Sequence, residues 1–167
     1  SAGLTSWTNS SVPWEYRGSS TTPSLTVGSQ GAYANGIGPI QSPTVSNGFI
    51  IFDSDYYDNG GVDGAFGTGL YPANASYVST LTSPSIDCSL YPNLTLKFNT
   101  FYREYAGIAK VAFSIDGGLT FTDTLDVHPS IGVNQATAPN EEVFFNLPLN
   151  IGGQSDVRIQ FIYDGTI

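Results

Sequence analysis

The sequence predicts an all-β fold, an antiparallel jelly-roll β-sandwich, and three observations indicate it. Six or more segments have the period-two pattern or the short apolar run of a strand, and no segment has a convincing helical period. Long connections join these segments, which favours a jelly roll over a simple meander. Charged residues make up only 11% of the chain and methionine is absent, so strong helix formers are scarce.

The most regular strand pattern covers residues 94–103, where apolar and polar residues alternate over ten positions. The side chains predicted to share one face are Leu94, Leu96, Phe98, Thr100 and Tyr102. Four further segments, 49–52, 77–81, 143–147 and 157–163, are also predicted strands. In the last of these, the residues predicted to share a face are Val157, Ile159, Phe161 and Tyr163.

A hairpin is predicted around "SIDGGLTF", residues 114–121. The strand that enters it places Ala109, Val111, Phe113 and Ile115 on one face. The glycines of "DGG" supply the positive-φ positions that a tight turn requires, and "LTFTDTLDV" is the predicted partner strand.

The first 48 residues are rich in Ser, Thr, Gly and Pro and carry the aromatic residues Trp7, Trp14, Tyr16 and Tyr33. A flexible linker would rarely contain two tryptophans. We therefore expect this region to form short strands and loops that pack on one domain covering residues 1–167.

The charge of the chain excludes several classes of partner. Its 14 acidic and five basic residues give a net charge of −9, which leaves no basic face for nucleic acid or anionic lipid. No apolar run approaches the roughly 20 residues that span a bilayer, so no membrane insertion is expected. An acidic surface rich in oxygen atoms suits a hard cation such as calcium.

From about Phe49 onward, the chain resembles the cleaved-adhesin and MAM-like jelly-roll domains of large secreted bacterial surface proteins. The resemblance lies in "LTSPSIDCS" (81–89), "LTLKFNTFYREY" (94–105), "VAFSIDGGLTF" (111–121) and "VRIQFIYDG" (157–165). These motifs occur in the family's order, and the region of resemblance covers roughly two-thirds of the chain. They specify a fold and not a reaction.

The resemblance implies a jelly roll with a role in adhesion, a secreted or cell-surface location and export by type IX secretion. Family members continue with a strand that reads like W-x-I-D-D, whereas this sequence stops at Thr166-Ile167. We therefore expect a missing C-terminal strand. In the family the aspartate pair of that strand helps to bind calcium, so the resemblance supplies only part of a metal site.

An acidic loop, "FDSDYYDNGG", follows the predicted strand at 49–52. The candidate metal ligands in this loop are Asp53, Asp55, Asp58 and Asn59, and Asp63 follows two residues after the loop. Calcium takes six to eight oxygen ligands on a flexible loop, and alternating Asp and Gly allow the chain to wrap around it. The spacing is not that of an EF-hand. The loop is therefore either a structural calcium site or a solvated acidic turn.

Aromatic residues beside this loop are candidates for contact with a sugar. Tyr56, Tyr57 and Trp14 could stack on sugar rings, as aromatic platforms do next to the calcium loops of lectins. The alternative is that these rings pack beneath loops.

No catalytic residue is predicted. Glu104, Glu141, Glu142 and Asp126 are the carboxylates available for glycoside hydrolysis, which needs two of them across a cleft. His128 is the only histidine and is interpreted as a loop residue at a strand end, since no nucleophile elbow accompanies it. Cys88 is interpreted as a buried free thiol.

Thr124 is a candidate for O-glycosylation, because Asp123-Thr124-Leu125 resembles a sequon used by bacteria related to the family's hosts. An ordinary strand is the alternative interpretation.

The predicted function is therefore a non-catalytic extracellular module for adhesion or for binding a glycan or surface protein, with structural calcium. Two alternatives remain open. One is a structural, accessory or strand-accepting part of a larger secreted assembly, and the other is a glycan-active enzyme.

Overall fold

The computed structural model describes residues 4–17, 43, 48–54, 57, 78–104 and 107–165. Within them the chain forms the strands β1 (Thr8–Asn9), β2 (Glu15–Arg17), β3 (Phe49–Ile51), β4 (Val78–Thr82), β5 (Thr95–Thr100), β6 (Ile108–Ser114), β7 (Asp123–Val127), β8 (Glu141–Asn146) and β9 (Arg158–Asp164). All their pairings are antiparallel. The prediction of an all-β fold is confirmed.

Helix is almost absent from the described residues, which contain only short helical turns. In that part of the chain, no helix combines the length and apolar character needed to cross a bilayer.

The largest sheet has five strands in the order β1-β4-β9-β6-β7. β9 lies at its centre, where Phe161 is paired with Leu81 of β4 on one side and with Val111 of β6 on the other. Leu81 and Val111 are fully buried. The centre of this sheet therefore forms one wall of the hydrophobic core.

The other strands form two separate pairs, β2–β3 and β5–β8. The β5–β8 pair supplies Leu96, Phe98, Val143 and Phe145 to the same hydrophobic cluster as the five-stranded sheet. Phe98 meets Phe161 edge to face, with 5.2 Å between the ring centroids. The β5–β8 pair thus packs face to face on the five-stranded sheet.

Period-two alternation predicted which side chains point towards the core, because successive side chains of a strand point to opposite faces. Val111 and Phe113 are buried, and Ile159 and Phe161 pack against the same cluster. Ile115 is the exception to the predicted pattern. It lies beyond the end of β6 and is 39% exposed.

The chain leaves β6 at Ser114 because a local hydrogen-bond network starts the hairpin there. The Ser114 hydroxyl donates to Asp116 Oδ1 at 2.6 Å and accepts the Gly118 N–H at 2.8 Å. Asp116 also accepts the backbone N–H of Thr120 at 2.9 Å and its hydroxyl at 2.6 Å. Gly117 and Gly118 have φ values of 75° and 89°, as the predicted tight turn requires.

The described parts of the first 48 residues contact the rest of the fold, and the packing of the whole region on one domain stays a prediction. β1 pairs with β4 and β2 pairs with β3. Trp7 stacks on Phe161 with 6.3 Å between the ring centroids. The missing C-terminal strand concerns residues beyond Ile167 and stays a prediction.

Candidate functional site

The candidate site lies at the end of the sandwich where β3 leads into the acidic loop. Four aromatic residues meet there, and we call them the aromatic cluster: Trp14, Phe52, Tyr57 and Tyr163. The connection from β5 to β6 and the loop from β7 to β8 lie at this same end, because Ile108 at the start of β6 is paired with Asp164 at the end of β9. Residues distant in sequence therefore meet around the acidic loop.

Phe52 is the centre of the aromatic cluster. Its ring centroid lies 4.8 Å from that of Tyr163, 5.3 Å from that of Tyr57 and 5.6 Å from that of Trp14. Separations of this size are typical of favourable aromatic pairs, worth about 0.5–1.5 kcal/mol each beyond the burial of area. Phe52 therefore joins the acidic loop to the core face of β9.

The first turn of the acidic loop is also held by hydrogen bonds. The Tyr57 hydroxyl donates to the backbone carbonyl of Pro13 at 2.6 Å, and the Tyr57 N–H donates to the Asp53 carbonyl at 3.5 Å. Asp53 is half-buried at the start of this turn. The loop thus leaves the sandwich from a defined position beside the N-terminal segment.

Only one of the predicted calcium ligands belongs to the described part of the chain, namely Asp53. Asp55, Asp58, Asn59 and Asp63 lie outside the described residues. Among the residues that are described, no group of three or more His, Cys, Asp or Glu side chains is placed to hold a metal ion. The calcium site stays a prediction.

Two of the three predicted sugar contacts are described, and both belong to the aromatic cluster. Trp14 and Tyr57 are half-buried and pack on Phe52. The indole Nε1 of Trp14 is buried and has no hydrogen-bond partner within the described structure. Tyr56 lies outside the described residues. The sugar contact of these residues stays a prediction.

His128 lies in a loop after β7, as the sequence predicts, but its side chain is only 7% exposed. Its ring stacks on Tyr102 with 6.0 Å between the centroids and an interplanar angle of 11°. Nδ1 lies 3.8 Å from Glu141 Oε1, whereas the buried Nε2 has no hydrogen-bond partner in the described part of the chain. Burial lowers the pKa of His128, and the nearby Glu141 carboxylate opposes that shift.

Tyr102 is held in its neutral form. Its hydroxyl donates to the Gly107 carbonyl at 2.6 Å. Burial raises the pKa of this hydroxyl, and the nearby Glu104 raises it further. A protonated phenol stacked on a neutral imidazole is a packing contact, with no proton transfer aligned between the two groups.

The other carboxylates considered for catalysis differ in their surroundings. Glu142 forms an ion pair with Lys97 at 2.8 Å, and Asp126 is exposed on β7. Glu104 is half-buried near Tyr102, with a buried Oε2 that has no hydrogen-bond partner among the described residues. No two of these groups are brought together as an acid–base pair by a contact in this part of the chain.

The structure places the two remaining candidate residues away from the aromatic cluster. Thr124 is exposed on β7, on the face opposite the core residue Leu125. Cys88 is a buried free thiol, as predicted, and burial raises its pKa. The glycosylation of Thr124 stays a prediction.

Sequence reasoning missed the Tyr102–His128 stack and the central position of Phe52. The sequence predicts Phe52 as the last residue of a strand at 49–52, whereas Phe52 lies just after β3 and contacts three other rings. Apart from the local Phe52–Tyr57 contact, no local pattern could have identified these contacts, because they join segments that are far apart in the sequence. Comparison with family models, with curated proteins and with solved structures found no match to this chain.

Proposed function

We propose that this chain is a non-catalytic adhesion or ligand-binding module of a secreted or cell-surface protein. It is built on a jelly roll and stabilised by calcium in the loop at 53–63. The observation that carries the proposal is the anchoring of this acidic loop. Phe52 fixes the loop to β9, and the Tyr57 hydroxyl fixes it to Pro13.

The arrangement of the strand pairs supports a jelly roll. Phe161 and Tyr163 share one face of β9, because they are two residues apart in a strand. Phe98 of the β5–β8 pair covers Phe161, and Phe52, which follows β3, covers Tyr163. The β5–β8 pair and the residue that follows β3 therefore contact the same face of the five-stranded sheet, as the second layer of a sandwich does.

The chemistry of the acidic loop supports calcium. Asp53, Asp55, Asp58, Asn59 and Asp63 offer only oxygen atoms, which are the ligands that calcium prefers. Two carboxylates ~4 Å apart repel by about 1 kcal/mol in water and about 4 kcal/mol at an effective dielectric constant of 20. A cation would remove that repulsion and hold a long loop on the sandwich.

The composition of the chain supports an extracellular binding role. Only 11% of its residues are charged, so its polar surface consists largely of Ser, Thr, Asn, Gln, Gly and Tyr. The only histidine is stacked on Tyr102, whose hydroxyl already donates to a backbone carbonyl. These contacts favour a binding module over a hydrolase. The partner proposed is a glycan or a surface protein.

Removing calcium tests the stabilising role of the loop. At a calcium concentration ~100 times the dissociation constant, binding would add about 2.7 kcal/mol to the free energy of unfolding. For a chain of this size, that corresponds to a rise in Tm of roughly 5–10 °C. We expect differential scanning calorimetry to show a fall in Tm of this size when EDTA replaces calcium. Magnesium at equal concentration should not restore the Tm.

A matched pair of variants tests whether the calcium-dependent rise in Tm comes from the acidic loop. The double variant Asp53→Asn with Asp55→Asn should abolish the calcium-dependent rise in Tm. Asp87→Asn is the control, because Asp87 is exposed in a distant loop and its Oδ1 bond from the Ser89 N–H survives in the amide. Equal melting curves of the wild-type protein with calcium and with EDTA would overturn the calcium part of the proposal.

A further inference from the structure

The outward face of the β5–β8 pair carries a single large aromatic ring among polar side chains. Its members alternate with the core residues of both strands and are all exposed. We call them the β5–β8 outer face: Thr95, Lys97, Asn99, Glu142, Phe144 and Asn146. The pairing places Phe144 directly opposite Lys97, with the Thr95–Asn146 and Asn99–Glu142 pairs on either side.

Phe144 contributes little to the packing of the fold. It is 59% exposed, whereas the neighbouring Phe145 packs against the core cluster. Burying an aromatic side chain of this size away from water is stabilising. The ring therefore retains most of this stabilisation for a ligand that covers it.

The polar residues around Phe144 form a face without net charge. Lys97 Nζ and Glu142 Oε2 are 2.8 Å apart, with side chains 59% and 53% exposed. The Asn99 side-chain amide donates to the Asn140 backbone carbonyl, and the Thr95 hydroxyl donates to Asn146 Oδ1, both at a long 3.4 Å. Each amide has two N–H donors and two acceptor lone pairs, so most of this capacity faces solvent.

We infer that the β5–β8 outer face is a binding site for a neutral glycan, with one sugar ring lying over Phe144. The hydroxyl groups of the sugar would bond to Asn99, Asn146 and the Lys97–Glu142 pair. The inference rests on the proposed role as a ligand-binding module and assigns that role to a face distinct from the acidic loop.

Charge and size favour a neutral sugar over other ligands on this face. Nucleic acid would need several phosphate-binding cations, whereas the one lysine is already paired with a carboxylate. A stable protein interface buries about 800 Å² on each partner around an apolar centre. One phenylalanine in a ring of polar groups has no such centre, but it matches the size of one sugar ring.

The test uses an array of neutral hexose and N-acetylhexosamine oligosaccharides, followed by calorimetric titration of the best ligand. Phe144→Ala should weaken binding at least tenfold, and Phe144→Tyr should stay within about twofold, because it keeps the ring. Tyr91→Ala is the matched control. Tyr91 is equally exposed, at 60%, but it lies in the loop before β5 and should not affect affinity.

The outcomes separate this site from the proposed function. Glycan binding that Phe144→Ala leaves unchanged would overturn the site while the binding module stands. If the double variant Asp53→Asn with Asp55→Asn loses glycan binding and Phe144→Ala does not, the ligand binds at the acidic loop. That result would also overturn the proposed site. Absence of binding to every neutral glycan would overturn the inference, as would a dimer that Phe144→Ala converts to monomer. Calcium dependence of Tm tests the loop independently.

Discussion

His128 begins the loop after β7 with a φ of 59° and a side chain that is 7% exposed. The titratable groups that face it are Glu141 at 3.8 Å and Tyr102, on which it stacks. Because burial lowers its pKa, the folded protein keeps this imidazole neutral below the pH at which an unfolded histidine becomes protonated, near 6.5.

This burial predicts a loss of stability in mild acid. As pH falls below about 6.5, the unfolded chain binds a proton at residue 128 that the folded chain does not, so the free energy of unfolding falls. The slope from one such group is at most about 1.4 kcal/mol per pH unit. Chemical denaturation at a series of pH values between 7.5 and 5 should show this fall in the free energy of unfolding.

His128→Asn is the matched variant, because asparagine tolerates a positive φ and does not titrate. The difference in stability between wild type and variant should shift in the variant's favour as pH falls from 7 to 5. Other acid-titrating groups are common to both proteins and cancel. Parallel pH profiles would contradict the assigned environment of His128.

At the scale of elements, the connection from β8 to β9 folds back against the loop that precedes β5. The Gly153 N–H donates to the carbonyls of Cys88 and Tyr91, at 3.2 and 3.1 Å, and the Cys88 N–H donates to the Gln154 carbonyl at 2.8 Å. Ile151, in the same connection, is fully buried. Two polar loops are thereby fixed to each other beside the core.

Two adjacent glycines in this connection should respond differently to alanine. A Cβ at Gly152 would overlap the backbone carbonyl of Pro92, whereas a Cβ at Gly153 meets no atom within 4 Å but has a φ of +79°. Gly153→Ala should cost only the left-handed strain of about 1–2 kcal/mol. Gly152→Ala should cost more, because a backbone atom must move.

Urea denaturation of the two single variants measures this difference, and the wild-type protein is the common reference. A smaller loss for Gly152→Ala than for Gly153→Ala would show that the β8–β9 connection and the loop before β5 are not packed as closely as described.

At the scale of the molecule, acidic residues outnumber basic ones by 14 to five, for a net charge of −9. Repulsion among the excess acidic side chains destabilises the compact folded state. The Lys97–Glu142 ion pair is more than half exposed, and pairs of that kind contribute only about 0–1 kcal/mol. Repulsion should therefore dominate the response of the protein to salt.

We expect Tm to rise when sodium chloride is increased from 10 to 150 mM, because the Debye length falls from about 30 to about 8 Å. Calorimetry in a calcium-free buffer measures this effect. Calcium at matched ionic strength should raise Tm further, which separates site binding from screening. A Tm that falls with sodium chloride would show that attractive pairs outweigh the repulsion.

Much of the fold was predictable because strand faces and tight turns depend on neighbouring residues. Alternation identified Val111 and Phe113 on one strand and Ile159 and Phe161 on another as residues that face the core. It failed at Ile115, because the Ser114 and Asp116 side chains start the turn there and end the strand. Hydrogen bonding within a few residues overrode the period of the strand.

The candidate site was predictable only in its chemical type. The acidic loop, its aromatic neighbours and the single histidine are evident from composition and spacing. The partners of these groups are not, since Phe52 meets Tyr163 and His128 meets Tyr102 only when distant strands are paired. Adjacent phenylalanines at 144 and 145 indicate that one ring faces outward, but not which one.

Residue order thus determined the all-β class, the strand faces and the hairpin at 114–120, because these features follow from local geometry. Strand order, the packing of β5–β8 on the five-stranded sheet and the burial of His128 were decided by tertiary structure alone. The physical reason is that burial and proximity depend on which apolar faces pack together, and that choice minimises the free energy of the whole chain rather than of any segment.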